Sequence, residues 1–449
     1  MPKTLLIRGA RIVTDGSIAE GDVLVRGERI EAVGGDLGAR PADEVIDARG
    51  RVLLPGMIDD HVHFREPGMT DKGDIAHESR AAVAGGVTSF LEMPNTVPPT
   101  TSLAALGDKM ARAAESSAAN YAFYLGATAD NLDVVRRAHE SPACGVKLFM
   151  GASTGDLLVE DRAAVARILA ASRLPVAVHC EDQAIIDRNA AAVRASLGEA
   201  PPCSVHAQIR SAEACLASTS VAIGIARELG TRLHVLHVST ADELELFDRG
   251  PLDGKRITAE ACVHHLWFDA GDYERLGARI KCNPAIKGRA HRDALRAALL
   301  TGAIDVIGTD HAPHLAEEKA RGYFAAPSGV PCVQQALAAL LDLHLDGLLP
   351  LELVAERACH APARLFGIRD RGHVREGYYA DLVLADLARP HRVEREALFS
   401  KCGWSPFEGA VLRASIDAVL VNGRVAFRNG RLADGIRGLP LDLDRGSFG

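Results

Sequence analysis

Residues 57–63, with the sequence MIDDHVH, join a short apolar run to a pair of histidines. The run is typical of a buried strand, and successive side chains of a strand point to opposite faces, so His61 and His63 share one face. Two imidazoles side by side at the end of a strand form a metal-chelating pair. The pair predicts a metal site if ligands from elsewhere in the chain converge on it.

Seven further apolar or β-branched runs follow, separated by segments in which apolar residues have helical spacing. This alternation is typical of a parallel sheet with crossover helices, and eight strands close a barrel. We therefore expect an α/β fold, a TIM (β/α)8 barrel. Residues 182–206 are long for a connection and predict a loop or an extra helix over the mouth. The predicted strands are residues 57–61, 87–93, 121–125, 145–149, 175–179, 232–237, 257–262 and 303–309.

The two ends of the chain have a different pattern, in which short β-type runs are separated by turn-forming dipeptides. Turns are predicted at Asp15-Gly16, Glu20-Gly21 and Arg26-Gly27, and a hairpin is predicted around Asn422-Gly423. We expect both ends to fold together as a small β-sandwich domain. The predicted boundaries are residues 1–55 and 371–449 for its two parts, and 56–370 for the metal-dependent barrel.

Composition excludes several classes of function. The net charge is −8 and no long basic run occurs, so nucleic acid is not an expected partner. The nine cysteines lie mostly within apolar stretches, which suits a reducing compartment. No signal peptide and no run of about 18 apolar residues is found, so membrane insertion is not expected. We expect a cytoplasmic enzyme acting on a small molecule; the oligomeric state stays open, a homodimer being one arrangement considered.

Further polar residues recur where other predicted strands end. Lys147 lies in the fourth strand, His179 and His237 end the fifth and sixth, and Asp310 follows the eighth. Each alone has an ordinary structural explanation, such as a core histidine or a helix cap. In a barrel, however, these ends meet at one mouth, and burying so many polar groups is costly unless they bind a charge. Imidazole and carboxylate together indicate zinc or a similar divalent ion.

Lys147 needs a separate explanation, because a free ammonium cannot ligate a metal. Its apolar surroundings in the sequence disfavour the charged form, and a neutral amine can add CO₂ to give N6-carboxylysine. The two carbamate oxygens would bridge two metals. We therefore predict two divalent ions, with zinc favoured. His61, His63 and Asp310 would hold one ion, and His179 and His237 the other.

The motifs around these residues resemble the amidohydrolase superfamily and, within it, the dihydroorotases of the longer bacterial type. Residues 61–68 (HVHFREPG) and 93–96 (MPNT) are similar to the first two family motifs. Residues 309–314 (TDHAPH) resemble the last motif, and residues 401–409 (KCGWSPFEG) the C-terminal signature. The resemblance covers nearly the whole chain and implies the same six metal ligands.

The resemblance also implies substrate contacts. Arg65, Asn95 and His314 would hold a substrate carboxylate, for which Arg offers a bidentate fork. The other implied contacts are Asn283, Ser328 and Gly329. Cys332 and Gln334 depart from the family pattern, which commonly has Gly and Glu there.

The implied activity is the reversible hydrolysis of dihydroorotate to N-carbamoyl-aspartate in pyrimidine biosynthesis, with Asp310 as the catalytic proton carrier. Allantoinases and hydantoinases share the metal ligands and are the nearest alternative, although Arg65 and residues 312–314 argue against both. A non-catalytic dihydroorotase-like partner protein is an alternative of another class. Such a protein should have lost ligands, and all six are present here.

Overall fold

The computed structural model describes residues 2–151 and 157–444 of the chain. Met1 and residues 445–449, which the sequence assigns to the β domain, lie outside the described residues, as do residues 152–156 of the predicted barrel. None of the helices in the described ranges is long and apolar enough to cross a membrane.

The first five strands belong to the sheet formed by the chain ends. The long strand β1 pairs with β2 along most of its length, and it is interrupted by a bulge at Gly9, whose φ is +69°. Its other edge pairs in parallel with β4 and then with β5. The strands are β1 (Thr4–Thr14), β2 (Ser17–Arg26), β3 (Arg29–Gly34), β4 (Glu44–Asp47) and β5 (Val52–Pro55).

The next eight strands form the barrel, and each occupies one of the predicted runs. They pair in chain order, which confirms the predicted fold class. The barrel closes between its first and last strands, where Val62 pairs with His311 and the backbone N–H of His63 donates to the His311 carbonyl at 2.7 Å. The strands are β6 (Met57–Val62), β7 (Val87–Glu92), β8 (Asn120–Gly126), β9 (Ala143–Phe149), β10 (Val176–His179), β11 (Leu233–Val235), β12 (Ile257–Cys262) and β13 (Val306–Gly308).

Helices connect the strands, and several begin at a side chain that accepts a backbone N–H. Five helices are capped in this way, each by the residue directly before its first residue: Asp74, Ser102, Asp161, Asp182 and Ser211. The helices are α1 (Ile75–Ala84), α2 (Leu103–Ser116), α3 (Leu132–Arg137), α4 (Arg162–Ala171), α5 (Gln183–Leu197), α6 (His206–Ile209), α7 (Ala212–Leu229), α8 (Val263–Trp267), α9 (Tyr273–Leu276), α10 (Arg289–Thr301), α11 (Ala316–Lys319), α12 (Ala336–Leu345), α13 (Leu351–Ala355) and α14 (Ala361–Leu365).

Two of the predicted local features can be compared directly with these elements. Residues 182–206 contain the extra helix α5, whose Ile186 and Val193 pack in one apolar cluster with Tyr323. Glu20-Gly21, in contrast, is not a turn, because Gly21 lies inside β2. A Cβ at Gly21 would stand 2.3 Å from the Gly34 carbonyl oxygen, so the glycine is explained by close strand packing.

The C-terminal strands complete the sheet of the chain ends. β14 pairs antiparallel with β5, which confirms that the two ends fold together into one nine-stranded sheet. The predicted hairpin joins β17 to β18, with Asn422 and Gly423 both at positive φ. The strands of this sheet are β14 (Leu382–Asp386), β17 (Ser415–Val421), β18 (Arg424–Arg428) and β19 (Arg431–Leu432), whereas β15 (His391–Arg392) and β16 (Val411–Leu412) pair with each other in a separate two-stranded sheet.

Candidate active site

One cavity of about 230 Å³ lies at the carboxyl ends of the barrel strands, and all the residues predicted for the site line it. Phe149, Ala312 and Pro327 also line the cavity and were not predicted. The predicted residues in the lining are His61, His63, Arg65, Asn95, Lys147, His179, His237, Asn283, Asp310, His314, Ser328 and Gly329. The barrel therefore brings residues from the whole length of its sequence to one place.

The first predicted ligand group is compact. Oδ1 of Asp310 lies 3.2 Å from Nε2 of His61 and 2.9 Å from Nε2 of His63. A tetrahedral zinc ion with bonds of about 2.0–2.1 Å holds its ligand atoms roughly 3.3 Å apart. These three side chains therefore fit a divalent ion with little movement.

The second group contains His179, His237 and Lys147. Nδ1 of His179 and Nε2 of His237 are 2.9 Å apart, a separation that again suits two ligands of one ion. Nζ of Lys147 is buried and has no hydrogen-bond partner within the described part of the chain; it lies 4.6 Å from the centre of the Phe149 ring. Burial lowers the pKa of Lys147 to about 7. A neutral, unpartnered amine at this position suits carboxylation.

The outward-facing nitrogens of three of these histidines are also held. Nδ1 of His61 lies 3.0 Å from Oε1 of Glu260, and Nε2 of His179 lies 3.0 Å from Oε2 of Glu181. Nδ1 of His63 lies 2.7 Å from Oδ1 of Asn95. An acceptor on the outer nitrogen fixes the ring and leaves the inner nitrogen unprotonated for a metal.

Glu260 and Glu181 were not singled out from the sequence. The available signal was an acidic residue inside or directly after an apolar strand, in residues 257–262 and 176–181. Both carboxylates are fully buried. A buried acid in or beside a barrel strand needs a partner, and here the partner is a predicted ligand histidine.

Three site residues have a backbone conformation that is rare outside glycine. The φ angles are +72° at Arg65, +40° at His237 and +47° at Asp310. Such residues cost free energy and persist only where the surroundings impose them. At His237 one such restraint is Glu260, which accepts the backbone N–H of His237 at 2.8 Å.

The protonation states of two members of the first ligand group, Asp310 and His63, also suit a metal. Burial alone would raise the pKa of Asp310, but His61 and His63 hold the pKa well below its usual range. Burial lowers the pKa of His63 to about 4. At neutral pH the chain therefore presents a carboxylate and a neutral imidazole, which are the forms that ligate.

The other end of the cavity is cationic. Arg65 is buried; its Nε donates to the Pro313 carbonyl at 3.1 Å, and its Nη2 lies 3.1 Å from Nε2 of His314. The same Nε2 of His314 lies 3.0 Å from the Ser328 carbonyl oxygen. Burial lowers the pKa of Arg65 to about 10, so the guanidinium stays charged at neutral pH. This end suits an anionic group.

Comparison with known proteins finds similar proteins that match most of the chain. Residues 52–426 match the model of the amidohydrolase family. A dihydroorotase of Halobacterium salinarum is 38% identical over 408 residues, which cover 89% of this chain and 93% of that protein. An allantoinase of Solibacter usitatus is 34% identical, covering 94% and 93% of the two chains. The L-hydantoinase structure from Arthrobacter aurescens aligns with a TM-score of 0.91 at 29% identity, covering 96% and 98%.

Proposed function

This chain belongs to the amidohydrolase family, and from that premise we propose that it is a cyclic amide hydrolase with dihydroorotase activity. It would open the ring of dihydroorotate to N-carbamoyl-aspartate and also catalyse the reverse reaction. The observation that carries the proposal is that one cavity contains both the metal-ligand set and the buried Arg65. A single small ring can then place its amide at the ligands and its carboxylate at the guanidinium.

The residues present fit two divalent ions, and zinc is the metal we propose. His61, His63 and Asp310 would hold one ion, and His179 and His237 the other. Lys147, carboxylated on Nζ, would bridge them; its unpartnered amine is the support for this part of the proposal. When bound, the ions would lower the pKa of water and polarise the carbonyl oxygen of the substrate.

The side chains themselves account for the proton transfers. Water adds to the ring carbonyl carbon, and Asp310 accepts a proton from it. As the carbon–nitrogen bond breaks, Asp310 donates that proton to the leaving nitrogen. The new carboxylic acid releases its proton at neutral pH, so alkaline conditions favour hydrolysis and acidic conditions favour ring closure. Arg65, Asn95 and His314 hold the substrate carboxylate, with Asn283, Ser328 and Gly329 as further contacts.

Allantoin and hydantoin are the alternative substrates, and the allantoinase and hydantoinase relatives favour them. Both are neutral cyclic amides, so neither uses a buried guanidinium as an anion site. Arg65 beside His314 therefore favours dihydroorotate. A non-catalytic role does not explain why a complete ligand set converges on one cavity.

A substrate panel tests the proposal. Zinc-loaded chain should hydrolyse dihydroorotate with a kcat/KM at least about 100-fold higher than for allantoin or hydantoin, a difference of about 2.7 kcal/mol. A preference for allantoin or hydantoin, or activity on none of the three, would overturn it. We further propose that the enzyme acts in the cytoplasm; the homodimer stays a prediction.

A further inference from the structure

Two segments that are distant in sequence build one wall of the cavity. Asn283 comes from residues 281–283, and Ser328 and Gly329 come from a loop after α11. The backbone N–H of Gly329 donates to the Lys281 carbonyl at 2.9 Å. Gly329 has a φ of +142°, and a Cβ there would stand 2.7 Å from the Ala312 carbonyl oxygen, so this backbone is tightly packed.

Lys319, the last residue of α11, lies behind this wall. Its ammonium donates to three carbonyl oxygens, those of Lys281, Pro327 and Gly329, each at 2.9 Å. The residue is only 4% exposed, and no ion pair joins it to a carboxylate within residues 2–151 and 157–444. The charge is therefore compensated by backbone dipoles from both wall segments.

A second lysine makes the reciprocal connection. Lys281, which is 7% exposed, donates to the carbonyl oxygens of Tyr323 at 2.7 Å and Ala326 at 2.5 Å. Lys281 thus joins the first wall segment to the residues that precede the second, and Lys319 on α11 bonds to both segments. Burial lowers the pKa of Lys319 to about 7 and that of Lys281 to about 8, and the carbonyl acceptors offset part of the cost of keeping each ammonium charged.

The two lysines differ in which residues their ammonium groups hold in place. The two acceptors of Lys281 do not line the cavity, whereas two of the three Lys319 acceptors flank Ser328, and the third lies two residues before Asn283. Lys319 is thus the side chain that joins both substrate-facing segments directly. Loss of its ammonium would deprive the Pro327 and Gly329 carbonyls of this donor and would free the loop to move, while the Lys281 carbonyl would keep the Gly329 N–H.

We propose that Lys319 is a positioning residue that fixes the substrate wall formed by Asn283, Ser328 and Gly329. The inference rests on the proposed function for the statement that this wall contacts substrate. Lys319 donates no hydrogen bond to a predicted metal ligand within the described residues. Its loss should therefore weaken binding of the substrate and of the transition state alike, which raises KM and leaves kcat nearly unchanged.

The test compares Lys319→Met with Lys255→Met. Lys255 is a matched control, because its side chain is 6% exposed and pairs with Asp305 at 2.8 Å near the amino end of β12, away from the cavity. With the cyclic amide that the wild-type chain hydrolyses best, Lys319→Met should raise KM about tenfold or more and change kcat less than about threefold. Lys255→Met should leave KM unchanged, even if it lowers stability more.

Hydrogen exchange gives a second readout that needs no substrate. Amides of residues 328–330 should exchange faster in Lys319→Met and at the wild-type rate in Lys255→Met. If these amides exchange at the wild-type rate in Lys319→Met, or if KM rises equally in both variants, the positioning role is overturned. Absence of dihydroorotate hydrolysis by the wild-type chain would overturn the proposed function instead, while the exchange result would still decide the role of Lys319.

Discussion

Among single residues, Lys147 has the surroundings least like those of an ordinary lysine. Its amine is fully buried among the ligand histidines and finds no hydrogen-bond partner in the described ranges. Because burial brings its pKa to about 7, much of the amine is neutral at physiological pH. Burying an unreacted amine without a hydrogen-bond partner costs free energy, whereas a carbamate would supply oxygen ligands to the metals.

Lys147→Ala should therefore lose bound metal and activity. A short carboxylic acid such as propionate, supplied in solution, should restore part of the rate, because its two oxygens can take the place of the carbamate. The measurement is the hydrolysis rate of zinc-supplemented variant with increasing acid, and wild-type chain treated in the same way is the control. Full activity of the variant without added acid would rule out the bridging role.

Arg65→Gln should mainly weaken the binding of dihydroorotate. Removing one member of a buried charged pair costs roughly 2–5 kcal/mol, which appears here as a higher KM. Measuring KM for dihydroorotate and for dihydrouracil, which lacks the carboxylate, separates charge recognition from general damage. Equal losses for the two substrates would contradict the assignment.

Asp310→Asn should slow hydrolysis and ring closure together, because one catalyst serves both directions and cannot change the equilibrium. The loss should be at least about 100-fold if proton transfer is its task. Both initial rates should be measured in variant protein whose metal content is known. Near-normal rates with a full metal complement would remove Asp310 as the proton carrier and direct attention to His314.

At the scale of elements, two of the predicted ligands are positioned by a neighbouring strand as well as by their own. Glu260 on β12 contacts Nδ1 of His61 from β6 and the backbone N–H of His237 after β11. One carboxylate oxygen thus orients a ligand of each predicted ion. The strand also places Cys262, whose Sγ donates to the same oxygen at 3.1 Å.

Glu260→Gln should therefore weaken metal binding by roughly 10–100-fold, which is the usual cost of losing a partner that orients a ligand. Competition with a zinc chelator measures the affinity. Glu245→Gln, at a surface glutamate whose side chain is 77% exposed, is the matched control and should bind zinc as the wild type does. Unchanged affinity in Glu260→Gln would mean that His61 is oriented by other contacts.

The sequence predicted strands well and contacts between strands less well. Apolar and β-branched runs located all eight barrel strands, because each is buried on both faces. Motif residues such as His61 and Asp310 followed from their places at strand ends. Glu260 was missed because its partner is 199 residues away, and Gly21 was misread because the Gly34 carbonyl that excludes a side chain there is a tertiary neighbour.

At the scale of the whole molecule, the chain ends are attached to the barrel by a buried polar network. Nδ2 of Asn120 on β8 donates to Oδ2 of Asp381 at 3.1 Å, and Nδ2 of Asn422 donates to Oδ1 of Asn120 at 2.8 Å. Arg371 pairs with the same aspartate. These residues are up to 302 positions apart, so periodicity along the chain could not predict their contacts. Domain boundaries near residues 55 and 371 stay a proposal.

The whole molecule should act as a two-metal enzyme, and the number of bound metal ions is the measurement that decides this. Metal-free chain should be titrated with zinc in the presence of bicarbonate, following bound metal by elemental analysis and activity on dihydroorotate in the same samples. The expected result is about two ions per chain, with activity rising as both sites fill. Fully active protein that consistently contains no bound metal would contradict the proposal of a two-metal enzyme.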